Sequence, residues 1–148
     1  MKRALEMLGY DPCYHMYELR PHPERIQMSR EIAFGHIDPD WDAVFGGYHA
    51  TVDWPAATYW RELAAQYPDA KILLTRRDSE SLYRSMENTI LQVIARKEDG
   101  ASVSYRLLTV KTFGHDLSKE NVIRTYQAHN AEAQASFGPN RLLTYELG

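Results

Sequence analysis

The sequence predicts a three-layer α/β domain, with helices on both faces of a mainly parallel sheet. Three observations predict it. Lys71 to Thr75 is a continuous apolar run of strand length, the pattern of a parallel strand covered on both sides. Arg141-Leu142-Leu143-Thr144-Tyr145 is a second such run. Between and before them lie segments with helical spacing of apolar residues and clear start and stop signals, and this alternation is the signature of strands joined by crossover helices.

The elements follow in order. Ala4, Leu5 and Leu8 share one helical face, and Gly9 is a natural helix stop. Cys13 to Met16 is a short apolar run that suits a buried strand. From Pro21 to Tyr48 the chain is rich in Pro, Gly, His and Asp, so it reads as irregular, with short helices around Glu24 to Ile32 and Trp41 to Phe45. A short strand is placed just before Asp53. Asp53-Trp54-Pro55 then has the composition of a helix start, with Asp as N-cap and Pro in the first turn; Ala56, Trp60, Leu63, Ala64 and Tyr67 continue it until Pro68.

After the Lys71 strand, Asp78 or Ser79 caps a long helix whose apolar stripe is Leu82, Met86, Ile90, Val93 and Ile94. Asp99-Gly100 breaks that pattern. Val103, Leu107, Val110 and Phe113 predict another helix ending at Gly114. Ser118 caps a third, carrying Val122, Tyr126, Ala133 and Phe137 and stopped by Gly138-Pro139.

Composition bounds the function classes. The 148 residues suit one domain, 1–148, and the 44% apolar and 25% charged shares are those of a soluble globular protein. With net charge −3 and 17 Lys and Arg spread along the chain, no nucleic-acid footprint is visible. Cys13 is the single cysteine, which excludes an intrachain disulfide and suits a reducing, cytoplasmic setting. No stretch approaches the apolar length of a membrane span, and no secretory signal opens the chain. The six histidines show no metal-ligand spacing, so no metal site is expected.

In parallel sheets, ligands bind beyond the carboxyl ends of the strands. The turn after Thr75 presents Arg76 and Arg77 beside a helix N-terminus, where a guanidinium fork and backbone N–H groups favour an anion. Ser85, eight positions beyond Arg77, shares a polar helix stripe with Ser81, Asn88 and Gln92.

The strand-Arg-Asp-helix-Ser arrangement resembles the 3′-phosphate-binding element of sulfotransferases that use 3′-phosphoadenosine 5′-phosphosulfate. Ala4-Leu5-Glu6-Met7-Leu8-Gly9-Tyr10, Cys13-Tyr14-His15-Met16, Asp53-Trp54-Pro55-Ala56, Tyr67 to Thr75, Arg77-Asp78 and Arg141-Leu142-Leu143 are similar, in order, to a group of sulfotransferase-like P-loop proteins. The resemblance implies a P-loop-type sulfotransferase fold and sulfuryl transfer from that nucleotide to a hydroxyl or amine of a small acceptor. It assigns Arg77 and Ser85 to the 3′-phosphate. The family's Gly-rich loop precedes the Ala-Leu-Glu helix, and a further segment follows the Leu-Leu-Thr-Tyr strand; Met1 falls where that loop should already have ended and the chain stops at Gly148, so the domain is expected to be incomplete at each end.

Asp53 stands where related enzymes carry the base that takes the acceptor's proton, two residues before a proline, and it is equally a preferred N-cap. The bland reading of Arg77 is an ion pair with Asp78 or Glu80. His15 and His129 read as hydrogen-bonding groups within or beside the core. Among the aromatic residues, Trp54 is singled out for an acceptor pocket by its neighbour Asp53. The rival reading is a non-catalytic binding or assembly module of the same fold, for which pairing of two copies through an exposed sheet edge is expected. A nucleotide kinase is disfavoured, since no Gly-x-x-x-x-Gly-Lys-Ser/Thr motif is present.

Overall fold

The computed structural model describes residues 1–19, 21–95 and 102–147. It is a mixed α/β structure built on two short parallel ladders. The elements run α1 (Lys2–Met7), β1 (Cys13–Tyr14), a 3₁₀ turn (Met16–Leu19), α2 (Pro23–Phe34), α3 (Trp41–Phe45), β2 (Ala50–Thr51) and a 3₁₀ turn (Ala56–Tyr59) leading into α4 (Trp60–Gln66). The second half holds β3 (Ile72–Arg76), α5 (Ser79–Glu87), α6 (Ile90–Ala95), α7 (Val103–Tyr105) continuing as a π-helix (Arg106–Thr112), α8 (Lys119–Ser136) and β4 (Leu142–Glu146).

β1 pairs with β2, Tyr14 opposite Thr51, and β3 pairs with β4, Leu74 opposite Thr144. Both pairs are parallel, as the alternation of strands and helices requires. Each ladder is extended by a loop residue: the N–H of Val52 donates to the carbonyl of Tyr14 at 3.0 Å, and that of Leu147 to Arg76 at 2.6 Å.

Two hydrophobic cores are joined through Trp54. Ile32, Ala33, Trp41, Val44, Tyr59 and Leu107 form one, and Ile94, Leu108, Phe113 and Val122 the other. Trp54 packs against both, so it ties the turn after β2 to the helical body. The π-helix explains how Leu107, Leu108 and Thr109 are all buried in succession, since its wider turn directs neighbouring side chains inward; the N–H of Phe113 reaches back five residues to Leu108 at 3.1 Å.

Three expectations are corrected. The long helix after β3 is two helices, because the last turn of α5 ends at Asn88, whose side chain donates to the carbonyl of Arg84. Val93 of the expected stripe is therefore exposed while Ile94 is buried. The β3 run is not covered on both sides among the described residues. Arg76 reaches Gln134 of α8, which places the Ile72, Leu74 and Arg76 face against that helix, whereas Leu73 is exposed, along with Leu143 (65%) and Tyr145 (55%) of β4. On the α1 face Ala4 and Leu8 (73%) are exposed, and only Leu5 is partly buried. The expected break at Asp99-Gly100 lies outside the described residues.

Candidate functional site

Arg77 follows β3 directly, at the carboxyl end of a parallel strand, and Asp78 caps α5 by accepting the N–H of Ser81 at 2.8 Å. The Arg77 guanidinium donates to the Ser81 hydroxyl at 2.7 Å. It forms no ion pair with Asp78 or Glu80; Glu80 pairs instead with Lys119 across the α5–α8 contact, at 2.7 Å. The Arg77 peptide is held from the other side by Tyr126 of α8, whose hydroxyl accepts the Arg77 N–H at 2.9 Å and donates to the Arg77 carbonyl at 3.2 Å.

These contacts redistribute the anion-binding capacity that the sequence suggests. The N–H groups of Arg77 and Ser81 are occupied, by a hydroxyl and a carboxylate respectively. What faces outward is side-chain chemistry: the remaining donors of Arg77, the Ser81 hydroxyl and, one turn further along the same helix face, the exposed Ser85. Asn88 and Gln92 do not continue this stripe, since α5 stops before them.

Asp53 belongs to the other ladder. Its backbone is left-handed, with φ 61°, a conformation that Asp adopts more readily than most residues but that still carries strain. Its side chain caps nothing: Pro55 occupies the N-cap position of the following 3₁₀ turn, without a side-chain hydrogen bond. The N-cap reading is thereby corrected. Instead, Oδ2 of Asp53 lies 3.2 Å from Nε2 of His15, the residue that follows β1. Sequence reasoning placed His15 in a bland structural role, and the signal it passed over is position, one residue beyond a strand end. Tyr126, by its spacing, belongs simply to the apolar stripe of α8, and nothing near it in sequence points to Arg77.

His129 of α8 sits edge-on to Trp60 with ring centroids 5.7 Å apart; burial, then the nearby Arg61, depresses its pKa. Tyr59 is buried in the core and its hydroxyl is pushed up to about 12 by desolvation. Two surface grooves, of about 540 and 430 Å³, are lined by Arg3, Glu6, Met7, Asp11 and Pro12, and by residues of α5 and α8 around Lys119 and Arg124. Neither is lined by Asp53, Arg77 or Ser85. Among the described residues no three of His, Cys, Asp and Glu gather as a metal cluster, and no helix is long and apolar enough to cross a membrane.

A family model described as "Sulfotransferase domain" matches residues 1–148. The chain belongs to the sulfotransferase family. Mixed helices with short parallel ladders are compatible with that fold. The chain is also similar to the Ava biosynthesis cluster protein M of Aspergillus versicolor, with 43% identity over 100 residues. That match takes in 62% of this sulfotransferase-family chain and 38% of the fungal protein, so the chain spans well under two thirds of this relative's length.

Proposed function

We propose that the chain serves sulfuryl transfer from 3′-phosphoadenosine 5′-phosphosulfate to a hydroxyl or amine of a small acceptor. The observation that carries this reading is Arg77, fixed at the carboxyl end of β3 with Ser81 beneath its guanidinium and Ser85 one turn further on. Sulfotransferase domains generally use this nucleotide as co-substrate, and a guanidinium in contact with one serine hydroxyl, with a second serine one turn further along the helix, is a donor set suited to a phosphate.

In the proposed chemistry, Arg77 and Ser85 hold the 3′-phosphate and so fix the donor. The acceptor oxygen attacks sulfur, its proton passes to the Asp53 carboxylate, and the bond from sulfur to the bridging phosphate oxygen breaks. The products are the sulfated acceptor and 3′-phosphoadenosine 5′-phosphate. Such a transfer depends on positioning and on stabilising charge at the leaving group, as phosphoryl transfer does. Free, buried Cys13 suits a cytoplasmic setting for it.

Calorimetric titration with 3′-phosphoadenosine 5′-phosphate tests this reading. Micromolar binding by the wild-type chain, lost in Arg77→Ala, is the expected result; no heat from the folded chain overturns it.

A second reading has its own observation. The open face of the β3–β4 ladder, with Leu73, Leu143 and Tyr145, favours a binding or assembly module, in which a third layer, or pairing of two copies, covers that face. Sedimentation of wild type against Tyr145→Glu distinguishes the two: a dimer that dissociates on substitution supports assembly, and a monomer in both removes its homodimer form.

A further inference from the structure

We propose that His15 is the positioning residue for Asp53, donating through Nε2–H to Oδ2 and leaving Oδ1 to take the proton of an acceptor hydroxyl; this rests on the reading of Asp53 as the base. The two residues come from chain segments far apart in sequence and meet because β1 and β2 are parallel neighbours. Tyr14 is opposite Thr51, and the Val52 N–H to Tyr14 carbonyl bond carries the ladder one step beyond. His15 and Asp53 therefore leave the same end of the ladder side by side, at the carboxyl ends of its strands.

The ring's hydrogen bonding decides its role. Nδ1 accepts the N–H of Tyr17 at 3.1 Å, so the proton of the neutral ring resides on Nε2, which lies 3.2 Å from Asp53 Oδ2. With Nδ1 accepting and Nε2 donating, the imidazole has no lone pair left to take a proton from substrate. It can orient a carboxylate, and the carboxylate is the group left to act as base. The plane of the ring is fixed by stacking on Tyr17, with centroids 4.9 Å apart and planes 17° apart.

Exposure divides the pair in the same sense. The His15 side chain is 18% accessible and that of Asp53 47%, so the orienting group is sheltered while the carboxylate reaches outward. Among the described residues, no hydrogen bond occupies Oδ1. The left-handed backbone at Asp53, together with Trp54 anchored in both cores, sets the direction in which the carboxylate points. A strained residue held by its surroundings, beside a polar partner it reaches only through tertiary pairing, is the kind of arrangement found where geometry serves chemistry.

Two measurements on the full chain test the proposal. Nitrogen-15 NMR of the His15 ring reads the contact without any turnover: the Nε2–H tautomer is expected, with a downfield Nε2 proton that moves upfield in Asp53→Gly. A ring protonated at Nδ1, or an Nε2 proton indifferent to Asp53→Gly, overturns the proposal. Kinetics then read its purpose, using the phosphosulfate donor and a simple phenol. His15→Phe keeps the stack on Tyr17 and is expected to lower kcat about a hundredfold with the donor KM unchanged, whereas His15→Gln, which keeps a donor, recovers most of the loss. Full kcat in His15→Phe overturns the positioning role even where Asp53→Gly abolishes turnover. If Asp53→Gly keeps full turnover, the base assignment fails with it, and the NMR result still decides the contact.

Discussion

The Tyr126 hydroxyl brackets the peptide of Arg77, accepting its N–H and donating to its carbonyl. A single side chain of α8 thus satisfies both backbone groups of the residue that leaves β3. Tyr126→Phe removes both bonds while keeping the ring. The expected result is a loss of about 1–2 kcal/mol in chemical denaturation and roughly tenfold weaker binding of 3′-phosphoadenosine 5′-phosphate by calorimetry. Unchanged affinity with reduced stability would restrict Tyr126 to the fold.

Asp53 allows stability and activity to be separated. Its φ of 61° suits Gly and penalises Ala, since a Cβ in the left-handed region crowds the following carbonyl. Asp53→Gly is expected to be about 1 kcal/mol more stable than Asp53→Ala, with neither supporting transfer. Equal denaturation midpoints for the two variants would contradict the backbone argument, and activity in either would contradict the base.

Arg141 belongs to one of the motifs that carry the family resemblance, yet its contacts are structural. Its guanidinium donates to the carbonyls of Ala64 at 2.7 Å, Tyr67 at 2.8 Å and Ala70 at 3.0 Å, closing the end of α4 onto the start of β4. Arg141→Ala is expected to cost roughly 2–3 kcal/mol, and Arg141→Lys to restore little, because an ammonium cannot fork to three carbonyls in one plane. Nucleotide affinity, measured below the unfolding transition, stays as in wild type.

His129 sets a pH window. The folded ring, desolvated and near Arg61, holds its proton less tightly than the ordinary value of 6.5, so below that value the unfolded chain binds more protons. Its stabilising contribution is complete above about pH 6.5 and is lost as pH falls toward the depressed folded value. The carboxylates held low by partners, Glu6 by Lys2, Asp116 by Ser118 and Glu132 by Arg61, act only further down, in the carboxylate range. A fall in Tm between about pH 7 and 5.5 is expected in wild type and is expected to flatten in His129→Phe, which keeps an aromatic ring beside Trp60. An identical slope in both would place the titration elsewhere.

Much of the fold was legible because its causes are local. The cap at Asp78, the cap at Ser118, the stop at Gly138-Pro139 and the two strand runs are each set by neighbours within a few residues, and the structure has them where the pattern indicates. Legibility ended where two local signals competed. Asp53-Trp54-Pro55 has the composition of a helix start, and nothing within reach of Asp53 in sequence reveals that its carboxylate turns away from the helix toward His15.

Periodicity, capping and motif order belong to the chain taken in segments, and they carried the two strand runs, the caps at Asp78 and Ser118, the parallel sense of the pairing and the family resemblance. How those segments meet is set by contacts that form only on folding. The β1–β2 register brings His15 beside Asp53, α8 brings Tyr126 onto Arg77, and the β3–β4 ladder keeps one face open. Each is a contact between residues far apart in the chain, where side-chain direction depends on a register that no local pattern encodes.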